Sequence, residues 1–129
     1  MQYLLDTVTL VRHFTGKGKI GQVAAHLLDA IEESDDSFFV SVVSLMGIMY
    51  LAEKNRIAIG LSETLKSLEA SSKYTIINLS PEILQVAETV EFYELHDRLI
   101  LATAKWLDVK VISSDHEFKK VQDVEVLWD

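Results

Sequence analysis

The chain contains no cysteine and only one proline among its 129 residues. The absence of cysteine excludes disulfide bonds, thiolate metal sites and a cysteine nucleophile. It is also compatible with a reducing compartment, and we expect the protein to be cytoplasmic. The single proline, Pro81, leaves no proline-rich linker that would divide the chain. We therefore predict one domain over residues 1–129, a length typical of a single domain.

Positive charge is also scarce in this sequence. Twelve Lys and Arg residues stand against 20 Asp and Glu residues, so the formal net charge is −8. This balance argues against a protein that grips nucleic acid through a broad basic face. It does not exclude a nuclease, because bound cations change the local field where acids cluster. It also leaves room for a basic partner protein.

Long apolar runs are missing as well. No stretch approaches the ~18 apolar residues of a membrane span, and the first five residues lack the basic start and long apolar run of a signal peptide. Hydrophobic residues nevertheless make up 49% of the chain, which is enough for a substantial core. We therefore expect an intracellular protein with no membrane association.

What the sequence does contain is a regular alternation of short apolar runs with longer amphipathic segments. Period and turn residues predict strands over residues 3–5, 38–40, 76–79, 109–112 and 124–127. They predict helices over residues 20–31, 45–55, 61–68, 81–90 and 97–107. Strands that alternate with helices are typical of a three-layer α/β/α fold with a mainly parallel central sheet.

Three aspartates stand at the ends or starts of these predicted elements. Asp6 and Asp115 follow predicted strands, and Asp97 begins a predicted helix. In parallel sheets, sites form beyond the carboxyl ends of the strands, where the strand order reverses. Carboxylates there could hold a hard cation such as Mg²⁺ or Mn²⁺. Aspartates at these places also serve as helix caps and turn formers, and position alone leaves both interpretations open.

Four blocks of sequence resemble the PIN-domain family, especially the VapC-type toxins of toxin–antitoxin pairs. They are YLLDT over residues 3–7, SVVSLM over 41–46, HDRLILATA over 96–104 and VISSD over 111–115. The blocks occur in the family's order and span nearly the whole chain. The third block is the most specific of the four. Together, the four blocks argue against a resemblance by chance.

The resemblance implies a metal-dependent endoribonuclease that cleaves RNA. By position, the first, third and fourth acids of the family's Mg²⁺ or Mn²⁺ site fall on Asp6, Asp97 and Asp115. The resemblance also implies a homodimer and a small antitoxin protein as partner. The residues that we expect to support the site are Thr7, Ser44, Ser113 and Arg98. Ser113 would orient the last carboxylate, and Arg98 would either touch a phosphate or form a surface salt bridge.

The chain departs from the family's pattern at one position. In the pattern Ser-x-x-Ser-x-x-Glu the second acid would fall on residue 47, which here is Gly47. A glycine inside a helix is less favourable than alanine by ~1 kcal/mol. The next acid, Glu53, would point about 240° around the helix from residue 47 and cannot replace the missing carboxylate. Either the metal site has lost a member, or the substitution was introduced, or another group fills in. The chain is accordingly an attenuated nuclease or a module that binds RNA or protein.

Two further expectations concern residues outside the blocks. Among the four histidines we expect His116 to be the best candidate for a direct role, ahead of His96. Arg12, Lys17 and Lys19 are predicted to lie in a mobile, glycine-rich basic loop near the site, where each residue either contacts the RNA backbone or, the more ordinary case, is simply solvated.

Apolar residues in the 45–55 helix suggest an interface. We expect that Met46, Met49 and Tyr50 exceed what one domain buries and form a patch for dimerisation or for a partner helix. Other chemistries lack support, because no G-x-S-x-G elbow is present and the Gly16–Lys19 segment does not have the spacing of a phosphate-binding P-loop.

Overall fold

The computed structural model describes all 129 residues and contains one five-stranded sheet. The strands are β1 (Gln2–Leu5), β2 (Ser37–Ser41), β3 (Tyr74–Ile77), β4 (Lys110–Ile112) and β5 (Val126–Leu127). Their order is β3-β2-β1-β4-β5, and every neighbouring pair is parallel. The predicted parallel sheet is thus confirmed, and β1 is its central strand.

Helices connect the strands, as parallel pairing requires. They are α1 (Thr7–Thr15), α2 (Gln22–Asp29), α3 (Val42–Glu53), α4 (Leu61–Glu69), α5 (Pro81–Ala87) and α6 (Leu95–Leu107), and a 3₁₀ turn covers His116–Lys120. Ser80 begins α5 as predicted, because its hydroxyl oxygen accepts a hydrogen bond from the Ile83 N–H and Pro81 takes the first helical position. None of the helices is long and apolar enough to cross a membrane.

The two faces of the sheet carry separate apolar cores. Successive strand residues point to opposite faces, so Leu4 belongs to one core and Leu5 to the other. The first core packs α5 and α6 against the sheet, and Ile100 of α6 is completely buried there. The second core packs α1, α2 and α4, with Leu10 completely buried. The chain therefore has the predicted three layers.

Helix α1 was not predicted, because threonine and valine residues give its sequence a weak helix propensity. It forms because Asp6 caps its start and Leu10 enters the core. Arg12 therefore lies in a helix and not in a loop, and its Nη1 donates a hydrogen bond to the Lys19 carbonyl oxygen. The loop itself follows the far end of this nine-residue helix, about 13 Å along the axis from its start. The prediction of a loop was therefore wrong for Arg12, whereas Lys17 and Lys19 do lie in a loop.

Helix α6 begins at Leu95, two residues before the predicted start at Asp97. Its cap is Glu94, whose carboxylate accepts hydrogen bonds from the backbone N–H groups of His96 at 3.1 Å and Asp97 at 2.7 Å. Glutamate is not a preferred cap residue, so the pattern contained no start signal here. Helix α5 ends at Ala87, and Val90, predicted to be helical, is buried just beyond it.

Truncating the α6 core is expected to destabilise the fold. Leu101 is completely buried in the first core, and replacing it with alanine should lower the free energy of unfolding by about 2–5 kcal/mol through lost burial and a residual cavity. Leu95, in the same helix, is 63% exposed, so Leu95→Ala makes the same chemical change at little cost. Urea unfolding of both variants measures the difference. Equal losses would mean that α6 does not pack as described.

Candidate active site

The strand order reverses at the boundary between β1 and β4. Strands β2 and β3 extend the sheet from one side of β1, and β4 and β5 extend it from the other. Leu5 pairs with Ile112, so β1 and β4 end at the same edge of the sheet. In open parallel sheets this is the place where ligand sites form. Asp6 follows the last residue of β1, and Asp115 lies three residues beyond β4.

Asp6 is held rigidly at this edge and is only 5% exposed. Its backbone N–H donates a hydrogen bond to the Ile112 carbonyl oxygen at 3.2 Å, and its Oδ1 accepts one from the Thr9 N–H at 2.9 Å. Burial raises the pKa of the Asp6 carboxyl, and the negative charge of Asp115 raises it further. Hydrogen bonding from Ser113 and Thr9 acts in the opposite direction. Asp6 thus caps α1 and also lies within electrostatic reach of a second acid, Asp115.

Asp97 lies in the first turn of α6, and its carboxyl is also strongly perturbed. Burial raises its pKa to about 6, and the negative charges of Glu94, Asp6 and Asp115 contribute to the rise. The three predicted aspartates therefore lie within electrostatic reach of one another, although they are far apart in the sequence. Glu94 is a fourth acid that the sequence analysis missed, since it matched neither a family position nor a usual cap.

Asp115 and Ser113 shape the turn after β4. The Asp115 backbone N–H donates to the Ser113 Oγ at 3.0 Å, and the Asp115 Oδ1 accepts from the Glu117 N–H at 2.9 Å. Ser113 is buried and its hydroxyl also acts on the Asp6 carboxyl. Ser113 therefore binds the backbone of Asp115 and lowers the pKa of Asp6, and it makes no hydrogen bond to the Asp115 carboxylate that it was expected to orient.

The donor set must be tested against the divalent cation that the sequence predicts. No group of three or more Asp, Glu, His or Cys side chains is arranged so that it could hold a metal ion. The chemistry of the donors does fit, because carboxylate oxygens are the ligands that Mg²⁺ and Mn²⁺ prefer. The raised pKa values of Asp6 and Asp97 also express a charge repulsion that a cation would relieve. The acidic side chains thus lie around a common region but are not arranged to coordinate one ion together.

Gly47 lies in the interior of α3, directly beneath an imidazole ring. A Cβ atom built on Gly47 would stand 2.9 Å from the Cε1 of His96 and 3.3 Å from the Cγ2 of Thr7. Real Cβ atoms essentially never approach another heavy atom as closely as the first of these distances. The His96 ring therefore occupies the space that a side chain at position 47 would need.

Hydrogen bonds fix the His96 ring in this place. Its Nε2 lies 2.8 Å from the Thr7 Oγ1, and the Thr7 hydroxyl donates to the Ser44 Oγ at 2.9 Å. Burial lowers the pKa of His96, partly offset by the charges of Glu94 and Asp6. Two of the predicted supporting residues, Thr7 and Ser44, are thus hydrogen-bonded to each other, and Thr7 also contacts His96.

Two other predicted residues lie differently from the expectation. The Arg98 Nε donates to the Ala87 carbonyl oxygen at 2.7 Å, so its guanidinium ties α6 to the end of α5 and forms no salt bridge. His116 is exposed and its side chain makes no hydrogen bond. Of the two histidines that adjoin a candidate acid, His96 is the one that contacts a predicted supporting residue, Thr7. His96 adjoins Asp97 in the sequence, but this adjacency does not predict the contact between His96 and Thr7.

These features define a three-layer α/β protein with an acidic site at the ends of its central strands. The family model of the PIN domain matches residues 3–124, which is nearly the whole chain. The chain belongs to the PIN-domain family, as its sequence blocks indicated. Among curated proteins, none matches the chain.

Solved structures of toxin–antitoxin complexes share this fold. VapBC2 from Rickettsia felis, bound to a DNA fragment from its promoter, superposes with a TM-score of 0.75 at 16% identity and full coverage of both chains. A toxin–antitoxin complex from Klebsiella pneumoniae has a TM-score of 0.64 at 24% identity, covering 97% of this chain and 95% of the other. FitAcB from Neisseria gonorrhoeae has a TM-score of 0.67 at 16% identity, covering 97% and 96%. At these identities the likeness establishes the fold.

Proposed function

We propose that this chain is a metal-dependent endoribonuclease of the VapC-like toxin class, acting as one PIN domain over residues 1–129. The observation that carries the proposal is the gathering of Asp6, Asp97 and Asp115 at the switch point of the sheet, where burial and, to a smaller extent, neighbouring acids raise the pKa of Asp6 and of Asp97. Like charges crowded together in a fold of this family are what a divalent cation would stabilise.

Asp6, Asp97 and Asp115 would hold Mg²⁺ or Mn²⁺, which when bound supplies a Lewis acid for the phosphodiester and a water of lowered pKa. The chain's own contribution is to hold the carboxylates in place. Asp6 is fixed by the start of α1 and Asp115 by the 3₁₀ turn. Thr7 donates a hydrogen bond to Ser44, and Ser113 accepts one from the backbone N–H of Asp115.

A second candidate function rests on the incomplete donor group. The described side chains do not close into a metal-holding set, and Gly47 supplies no carboxylate. A PIN domain that binds RNA or protein without cutting would have these features. We favour the nuclease, attenuated by the missing acid, because a pure binding module has no need to crowd three aspartates.

The partners follow from the same class. The similar structures from Rickettsia felis and Klebsiella pneumoniae are complexes of a toxin with its antitoxin, and we propose a small antitoxin and a second copy of this chain as partners. Met46, Met49 and Tyr50, predicted to form an apolar patch, are indeed exposed on α3, which supports a protein interface there. An enzyme that cleaves cellular RNA would act in the cytoplasm.

The proposal predicts RNA cleavage that depends on a divalent cation. Purified chain incubated with a mixed RNA pool should produce discrete fragments when Mn²⁺ or Mg²⁺ is present, and excess EDTA should stop the reaction. Renewed addition of the cation should restore it, which excludes loss of folded protein as the cause. Cleavage that persists in EDTA would contradict the metal-dependent nuclease, and RNA binding without cleavage under every cation would favour the module.

A further inference from the structure

A groove runs along one side of α1, between this helix and the segment that follows α3. It consists of two adjoining hollows of about 380 and 200 Å³, which share Val11 and Ile57. We propose that this groove binds the phosphodiester backbone of single-stranded RNA beside the acidic site. The inference rests on the proposed function, since it assigns the path that the RNA substrate takes away from the acids.

The α1 wall of the groove leads directly away from the acids. Thr7, Val11 and Thr15 line it at intervals of four residues, so they lie on one face of the helix. The groove begins at Thr7, which follows Asp6, and extends past Thr15 to Lys17. The nine residues of α1 measure about 13 Å along the helix axis. A stacked strand advances about 3.4 Å per nucleotide, so this length accommodates about four nucleotides.

Charge is the first reason to place RNA in this groove. Arg12, Lys17 and Arg56 line it, whereas no aspartate or glutamate does. None of these three cations forms a salt bridge within the chain. In a chain with a formal net charge of −8, an acid-free groove with three unpaired cations is complementary to a polyanion. A protein that lacks a broad basic face could therefore hold RNA through this narrow one.

The three cations are held in different ways. The Arg12 Nη1 donates a hydrogen bond to the Lys19 carbonyl oxygen at 2.9 Å, and its guanidinium lies 6.0 Å from the centre of the Trp128 ring. Because a guanidinium has five N–H donors, this anchoring leaves donors for a phosphate. Lys17 and Arg56 are exposed. Arg12 thus supplies an oriented contact, and the other two supply charges that can adjust to the strand.

The apolar floor of the groove raises the alternative of a bound peptide. Val8, Val11, Leu51 and Ile57 form this floor, and a helix with an apolar face could lie on it. However, seven residues line one hollow and six line the other, whereas a stable protein interface takes about 20–30 residues from each partner. A strand of a few nucleotides needs no larger surface, and its riboses can pack on the apolar floor.

The groove also predicts how selective the binding should be. No aromatic side chain lines either hollow, so the bases of a bound strand have no stacking platform there. Contacts to phosphates fix the position of a strand but do not read its sequence. We therefore expect the groove to bind single strands without preference for particular bases.

RNA binding in the absence of a divalent cation tests the inference independently of cleavage. Fluorescence anisotropy in EDTA follows a labelled 12-nucleotide oligouridylate at increasing KCl concentration. We compare the native chain with Lys17→Gln, Arg56→Gln and the double variant. One phosphate contact on a single strand contributes about 0.7 to the slope of log affinity against log salt, so each single variant should be shallower by about 0.7 and the double variant by about 1.4. At the lowest salt concentration the double variant should bind about tenfold more weakly.

Lys66→Gln is the matched control for these variants. Lys66 is an exposed lysine of α4 that forms no salt bridge and lies outside the groove. Its replacement changes the net charge by the same amount as Lys17→Gln. It should leave the affinity and the salt dependence close to those of the native chain, which separates a local contact from the effect of net charge.

Kinetics and competition add two further readouts. In cleavage assays with Mn²⁺, the double variant should raise KM for RNA about tenfold and change kcat little, as expected when binding contacts away from the reacting bond are lost. A 12-residue oligoglutamate distinguishes RNA from an acidic peptide. It should displace the labelled RNA less effectively than unlabelled oligouridylate does.

The possible failures of the two proposals can be told apart. Equal affinity and equal salt dependence in the native chain and the double variant would overturn the inference and leave the proposed function standing. Displacement by oligoglutamate that is as effective as displacement by oligouridylate would assign the groove to an acidic peptide instead. RNA binding that depends on Lys17 and Arg56, without cleavage under any divalent cation, would overturn the nuclease alone. A native chain that neither binds nor cleaves RNA would overturn both.

Discussion

Replacing Asp97 with asparagine is expected to abolish metal-dependent RNA cleavage while making the metal-free protein more resistant to unfolding. The loss of activity should be at least about 10-fold, because a carboxylate that holds the cation contributes no less than a group that merely orients one. The gain in stability has a separate cause, since asparagine removes a charge that is disfavoured first by burial and then by the negative charges of Glu94, Asp6 and Asp115.

The pH dependence of that stability follows from the raised pKa. The pKa of Asp97 rises from its ordinary value of 3.8 to about 6 in the folded, metal-free protein, so folding favours the protonated form. The stability from this group is fully present below pH 3.8 and is lost as the pH rises towards 6. The advantage of Asp97→Asn should therefore be largest above pH 6 and vanish below pH 4.

Thermal unfolding of the metal-free proteins across this pH range, in parallel with cleavage assays, checks both halves of the expectation. Asp108→Asn is the matched control: Asp108 is an exposed acid in a left-handed conformation (φ 55°) that asparagine also tolerates. It should leave activity and pH dependence as they are. An Asp97→Asn variant that retains cleavage, or one that melts lower at pH 7, would contradict the description of the site.

Restoring a carboxylate at position 47 is expected to work only when His96 is removed as well. Gly47→Glu alone places a Cβ atom 2.9 Å from the Cε1 of His96, so the imidazole ring must move aside before the new side chain can reach the site. The double variant Gly47→Glu, His96→Ala frees that space and returns an oxygen donor. We expect its Mg²⁺-dependent cleavage to exceed that of either single variant by at least about tenfold.

Cleavage rates in Mg²⁺ for the two single variants, the double variant and a displaced control measure this effect. In the control, Met46→Glu with His96→Ala, the carboxylate stands one residue earlier on α3 and about 100° around the helix, at a residue that is exposed. It should not restore cleavage. If Gly47→Glu alone matched the double variant, the imidazole would not block position 47.

Predictability from sequence differed between the sheet and the site. Strands β1 and β4 were predicted because short runs of apolar residues end at polar ones, and this placed Asp6 directly after β1 and Asp115 shortly after β4. Helix α1 was missed because its β-branched residues favour a helix only once Asp6 caps it and the core receives Leu10. Glu94 was missed because both of its functions, capping α6 and raising the pKa of Asp97, depend on the fold.

The sequence by itself determined the alternation of strands and helices, the family and the absence of an acid at position 47, because each of these is a property of residues close together in the chain. Only the tertiary structure determined that the His96 ring lies against Gly47. The Thr7–Ser44 bond joins residues 37 positions apart and the Thr7–His96 contact joins residues 89 apart. Such contacts arise from the order in which strands pair and helices pack across the sheet, and no local pattern of residues specifies that order.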